Sequence, residues 1–269
     1  MTISKRHTAQ SDGEVPAAGR PVLLACSHGT GNVSGQAAVA HLVAEVRAEL
    51  EPVRVIDTWV DVQEPSLTDR TRQLSGQSAV IVPLLLSAGY HVYVDMARAI
   101  KGSPQHRVAA ALGPDPRLSV IMARRLNEAL RGHGAEPITE VDTVIMAAAG
   151  SSEPDAVRDC RVTAEHLAHE LGVPVQVAFL SAAKPTVHDA VAEARRSAKD
   201  LAGRPASARG GKHGRVLVAT YLLAPGFFHN KTVTAGADIT AAPLLLTDAP
   251  TPPELTELVV EHYEQAIQE

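Results

Sequence analysis

An apolar run that stops on glycine occurs twice in this chain, as "PVLLACSHG" (21–29) and, about 120 residues later, as "DTVIMAAAG" (142–150). Three further pairs follow in the same order. "QEPSLTDRT" (63–71) pairs with "AKPTVHDAV" (183–191), and "VIVPLLLSAG" (80–89) pairs with "VLVATYLLAPG" (216–226). "ALGPDPRLSVIMARRLNEAL" (111–130) pairs with "LLLTDAPTPPELTELVVEHYEQA" (244–266) as strand end, proline turn and helix. Each match is weak alone. Four in the same order, at similar offsets, read as a duplication, with one half at 21–135 and the other at 140–269. Residues 1–20 hold no apolar run and read as a flexible N-terminal tail.

Each half alternates two periodicities. Val39, Leu42, Val43, Val46 and Leu50 fall on one helical face, and Val157, Cys160, Ala164, Leu167 and Leu171 do the same in the second half. "VRVIDTWV" (53–60), "AVIVPLLL" (79–86), "HRVAAAL" and "VPVQVAFL" read as strands. Residues 66–75 read as a short helix with Ser66 as N-cap, "VYVDMARAI" as helical, and 117–131 as a helix. "AVIVPLLL" is apolar without alternation, as in a strand covered on both faces. With 45% apolar but only 3% aromatic residues, the core must be built from Ala, Val and Leu. The expected fold is therefore α/β: two homologous lobes, each a parallel four-stranded sheet flanked by helices with right-handed crossovers. "GRPASARGGKHG" (203–214) reads as a loop.

Composition narrows the function. A net charge of −5 argues against a nucleic-acid partner, which would call for a basic face. No signal peptide or membrane anchor is expected, and the cytoplasm is the expected compartment. The two cysteines, Cys26 and Cys160, form no CxxC, so neither a disulfide framework nor a thiolate zinc site is implied.

In open α/β sheets, ligands bind outside the carboxyl ends of the strands. His28 ends the first strand, His91 follows the third in "LLLSAGYHVYV", and Glu64 follows the second in "VDVQEPSL". Two imidazoles and a carboxylate on one rim would suit a borderline divalent ion such as cobalt, iron or nickel. Each has a plainer alternative: a strand-end histidine as a hydrogen-bonded cap, Glu64 as a solvated loop acid. "GTGNVSG" (29–35) has the look of a phosphate cradle, but it lacks a lysine and the G-x-G-x-x-G spacing. His166 and His169 read as surface residues, and Cys26 as core rather than nucleophile. His229, in "APGFFHNKT", falls one residue away from the repeat position of His91.

"LLACSHGT", "QEPSLTD", "VIVPLLLSAGYHVYVDM" and "ALGPDPRL" together resemble the sirohydrochlorin chelatases of the CbiX/SirB type, relatives of the class II tetrapyrrole chelatases. The resemblance spans most of 21–269. It implies two lobes facing across a cleft, and insertion of Co(II) or Fe(II), with Ni(II) possible, into sirohydrochlorin without a nucleotide. It implies that His28 and His91 hold the metal and assist deprotonation, with Glu64 nearby. The second half carries Ala149 and Gly150 in place of His28 and Gly29, so one active site is implied, in the N-terminal lobe. Arg98 and Lys101 after His91, and Ser151 and Ser152 at a helix start, are candidates to meet the substrate's carboxylates; a solvated face is the alternative for the first two. The implied assembly is a monomer or homodimer. A carrier of metal or tetrapyrrole that performs no insertion is the competing reading.

Overall fold

The strands form where the apolar runs predict them. The computed structural model describes residues 19–89, 91–202 and 214–268. The tail and the 203–214 loop therefore lie almost wholly outside the described residues. The first half comprises β1 (Val22–Ser27), α1 (Val33–Glu49), β2 (Val55–Trp59), α2 (Leu67–Gln73) and β3 (Ala79–Pro83). A π-helical segment (His91–Met96) then runs into α3 (Ala97–Ala99), followed by β4 (His106–Val108) and α4 (Pro116–Gly132). The second half comprises β5 (Thr143–Ala148), α5 (Pro154–Leu171), β6 (Val175–Phe179), α6 (Val187–Ala202) and β7 (Val216–Tyr221). It ends with α7 (Phe227–Val233), β8 (Ile239–Thr240) and α8 (Pro253–Gln268).

Two four-stranded parallel sheets result, with the same order in each half: β2-β1-β3-β4 and β6-β5-β7-β8. The two-lobed α/β expectation is met. Helix starts follow capping chemistry. Ser66 caps α2 by accepting from the Asp69 N–H at 3.2 Å, and Asn32 caps α1 by accepting from the Gly35 N–H at 2.8 Å. β4 is shorter than "HRVAAAL" suggests, because only His106–Val108 pair in register with β3.

Alternate strand residues point to opposite faces. One face of β1 and β3 (Leu23, Ala25, Val80, Val82) and one face of β5 and β7 (Val144, Met146, Leu217, Ala219) enter a single continuous core. The other faces enter two smaller clusters. Leu24, Cys26 and Ile81 pack with Leu67 and Met96; Ile145, Ala147 and Val218 pack with Val187 and Val191.

The shared core reflects an exchange of helices. α4, from the first half, packs on α5, β7 and β8 of the second. α8, from the second half, packs on α1 and β3 of the first, and the two exchanged helices also touch. Polar ties pin the exchange. The Arg125 guanidinium donates to the Leu244 carbonyl at 3.0 and 3.2 Å, Arg107 donates to the Ala266 carbonyl at 3.3 Å, and the Tyr263 hydroxyl donates to the Pro21 carbonyl. Among the described residues, no helix is long and apolar enough to cross a membrane.

Candidate active site between the lobes

The site begins at the end of β1. Strand pairing continues past the strands proper, with the Val60 N–H donating to the Ser27 carbonyl and the Asp61 N–H to the His28 carbonyl, both at 3.0 Å. These bonds hold the His28 backbone to the sheet while its side chain stands exposed at the rim. Glycine must follow. Gly29 has φ +94°, and a Cβ there would lie 2.1 Å from the Asp61 carbonyl oxygen.

The second lobe repeats this arrangement without its chemistry. The Leu180 and Ser181 N–H groups donate to the Ala148 and Ala149 carbonyls at 3.0 Å, and Gly150 has φ +91° with its absent Cβ 2.0 Å from the Ser181 oxygen. Val62 (φ 65°) and Ala182 (φ 56°) occupy matching left-handed positions. Ala149 and Ser181 thus stand where the first lobe has His28 and Asp61.

A cavity of about 750 Å³ lies between the lobes. His28 and Gly29 line it from one side, and Ala149, Gly150 and Ser151 from the other, with Tyr221 and the 222–229 segment completing the wall. Its lining is mainly apolar, from Ala25 and Leu84 to Ala148 and Leu222, with Trp59 on one flank. Val62 and Phe227 stand exposed at the mouth. Among the described lining residues no Lys or Arg occurs; Asp57 is the one carboxylate. Two seams close the cavity. A Cβ on Gly35 would lie 2.2 Å from the Pro225 oxygen, and one on Gly89 would lie 3.3 Å from Ser151 Oγ.

The sequence candidates separate here. His28 lies on the cavity wall. His91 begins the π-helical segment after β3, and its side chain lies outside the described residues. Glu64 is not on the cavity wall. It is exposed, and its carboxylate accepts from the Ser66 N–H at 2.8 Å beside the start of α2. Val62 follows Asp61 in a left-handed conformation, and the Asp61 backbone is bonded to that of His28. Among the described residues, no group of three or more His, Cys, Asp or Glu is placed to hold a metal ion. Arg98 sits 3.8 Å from Asp95, and neither it nor Lys101 lines the cavity. Ser151 and Ser152 do line it, although α5 starts only at Pro154.

"GTGNVSG" does not present a phosphate cradle. The Thr30 N–H donates to Gln63 Oε1, that of Asn32 to Thr30 Oγ1, that of Gly35 to Asn32 Oδ1, and that of Gln36 to the Asn32 carbonyl. Four donors an anion would need are already satisfied. Cys26 is core, as expected, and burial pushes its thiol up to about 12. Cys160 reaches the cavity wall, where burial, with a smaller contribution from Asp159, pushes its thiol up to about 12.

His229, one residue away from the repeat position of His91, lies on the cavity wall. Ala25 pairs with Val82 in one lobe, and Met146 pairs with Ala219 in the other. The offset from Val82 to Ala219 carries His91 to Phe228, so the one-residue displacement of His229 is real. A one-residue step at the start of α7 turns a side chain by about 100°, and that turn decides its direction; no strand-period argument reveals it.

The CbiX family model matches residues 22–129 and again 143–266. The chain belongs to the CbiX family. Its two matched segments coincide with the two sheets and their helices. The fold of this CbiX-family chain is similar to that of SirB from Bacillus subtilis with Fe3+, at 18% identity over 92% of this chain and 96% of that one, with a TM-score of 0.67. The same holds for SirB from Bacillus subtilis subspecies spizizenii in complex with cobalt, at 18% identity over 93% and 96%, TM-score 0.67. It is also similar to CbiX, described as the terminal enzyme for siroheme biosynthesis in denitrifying bacteria, at 17% identity over 92% and 99%, TM-score 0.57. No curated protein matches the sequence.

Proposed function

We propose that the chain is a sirohydrochlorin chelatase, inserting Co(II) or Fe(II) into sirohydrochlorin without ATP. The observation that carries this reading is the interlobe cavity of about 750 Å³ with His28 on its wall. An apolar cleft of this size suits a flat macrocycle, since ligand pockets run from about 300 to 1,000 Å³. Family membership and the metal-bound SirB relatives support it.

In the proposed site, His28 and His91 take the incoming ion as it sheds water. A neutral imidazole is a sound donor, with an ordinary pKa of about 6.5 that leaves it mostly deprotonated at neutral pH. Two protein ligands leave positions open, so the ion can pass to the ring nitrogens; a closed four-ligand cage would keep it. Glu64 and Asp61 are the acids we assign beside this pair: neither lines the cavity, each accepts from a nearby backbone N–H, and the Asp61 backbone is bonded to that of His28. The same donors admit Ni(II). With no Lys or Arg among the described lining residues, the substrate's carboxylates point out toward the cavity edges. The two buried free cysteines fit a reducing cytoplasm, and the two lobes supply both walls within one chain, as a monomer requires.

The test is an anaerobic insertion assay. Sirohydrochlorin is mixed with Fe(II), Co(II) or Ni(II), and its visible spectrum is followed with and without protein. A chelatase metallates many rings per protein molecule. A carrier stops at one, and that result would overturn the reading.

A further inference from the structure

We propose that His229 is a catalytic base supplied by the C-terminal lobe, accepting one pyrrole proton from the ring face opposite His28 and His91. This rests on the chelatase reading. Among the described residues, the titratable side chains on the cavity wall are His28, Asp57, Cys160, Tyr221 and His229. Cys160 and Tyr221 are no use as bases. Burial pushes both groups upward, and the Tyr221 hydroxyl already donates to the Leu86 carbonyl at 2.6 Å. That leaves His229 as the imidazole on the C-terminal lobe's share of the wall.

Its placement follows from the seam between the lobes. The Pro225–Gly226 turn leading into α7 abuts the loop that follows His28: a Cβ on Gly226 would lie 3.4 Å from Thr30 Oγ1. α7 therefore starts over the His28 loop, from the facing lobe. The protein also prepares the ring electronically. Burial shifts the His229 pKa below its ordinary value, with partial compensation from a hydrogen bond to the Ala241 backbone. Ala241 gives its own N–H to the Val218 carbonyl, and its carbonyl accepts from the Thr220 hydroxyl at 2.7 Å, so only that carbonyl is left to face the imidazole. A neutral imidazole has one N–H and one acceptor nitrogen, so a ring that donates toward Ala241 keeps its other nitrogen free to accept a proton.

Such a group lets the first proton leave on the face away from the ion. A metal ion and a departing pyrrole proton cannot occupy the same side of one nitrogen. With the ion held by His28 and His91, one pyrrole N–H bond breaks toward the other lobe as an imidazole N–H bond forms at His229. The electron pair left on the pyrrole nitrogen closes onto the ion. The second pyrrole proton passes to a metal-side imidazole as its bond to the ion breaks. One dication enters and two protons leave, so charge balances and no oxidant is required.

His229→Gln and His229→Ala test this in the full-length protein, with Co(II) and sirohydrochlorin under anaerobic conditions between pH 5.5 and 8.5. General-base catalysis contributes about 10²–10⁴-fold, so kcat should fall at least about 100-fold in both variants. KM for ring and metal should stay near wild type. The acid side of the wild-type profile, to which the metal-binding imidazoles also contribute, should lose one ionisation in both variants. Glutamine can donate to Ala241 but cannot take the proton, so it separates catalysis from scaffolding. A Gln variant at wild-type rate, or a loss confined to KM, would overturn the assignment while the chelatase reading stands. A wild type that never metallates the ring overturns both.

Discussion

Gly29→Ala, compared with Gly150→Ala and Gly76→Ala, isolates the contact that places His28. All three glycines have positive φ: +94°, +91° and +83°. A Cβ at Gly76 would meet nothing within 4 Å, so that variant reports backbone strain alone, about 1–3 kcal/mol. At Gly29 and Gly150 the new Cβ would stand 2.1 and 2.0 Å from the Asp61 and Ser181 carbonyl oxygens. Backbone must retreat by more than 1 Å to reach ordinary contact, and overpacking of this kind adds about 1–3 kcal/mol. Each should therefore lose about 4 kcal/mol in total, which lowers the melting temperature by about 8–16 °C in a chain of this size. Circular-dichroism melts measure this directly. Insertion assays below the lowered transition then separate the lobes. Gly29→Ala displaces the Asp61 backbone from His28 and should lose rate, whereas Gly150→Ala disturbs a position that carries alanine and should keep most of it. Equal melting of the Gly29 and Gly76 variants would refute the claim that the β2 loop presses on the residue after His28.

His28→Ala and His91→Ala should each remove most of the acceleration of metal insertion while leaving ring binding measurable by fluorescence quenching; wild-type rates in both would sink the proposed metal site. Burial alone would raise the Asp142 pKa, but the Arg215 guanidinium at 2.7 Å, with N–H bonds from Arg215 and Thr139, holds it at about 2. Asp142 therefore adds about 2 kcal/mol of stability that is fully present above its ordinary pKa of about 3.9 and lost as pH falls through about 2; urea melts of Asp142→Asn against wild type should differ at pH 7 and converge toward pH 2. Tyr221→Phe removes a hydroxyl that donates to Leu86 in one half and accepts from Thr163 in the other, and should cost about 1 kcal/mol in urea melts by leaving the half-buried Leu86 carbonyl without its donor.

The position of His28 was legible because two rules agree: a buried parallel strand is continuously apolar, and ligands gather past its carboxyl end. The double sheet was legible because the same strand-to-glycine pattern recurs. The local setting of Glu64 was not legible, because sequence spacing carries no φ. Val62 takes a left-handed conformation, Gln63 accepts from the Thr30 N–H, and the Glu64 carboxylate accepts from the Ser66 N–H. His229 was undervalued because repeat matching compares positions, while a helix start decides direction. The sequence marks a helix at 117–131, but the apolar stripe of a helix does not say which sheet buries it. The stripe Leu118, Ile121, Met122 and Leu126 is equally apolar whichever sheet lies beneath it.

The exchange of α4 and α8 bears on any chain half as long built to this pattern. Its last helix would leave its own sheet bare along one side and reach out with an apolar stripe to nothing. Two copies would mend both defects at once by trading arms, each capping the other's strands. Joining the copies end to end makes that handshake intramolecular and independent of concentration, and it lets one side abandon its imidazole at the rim while keeping its half of the embrace.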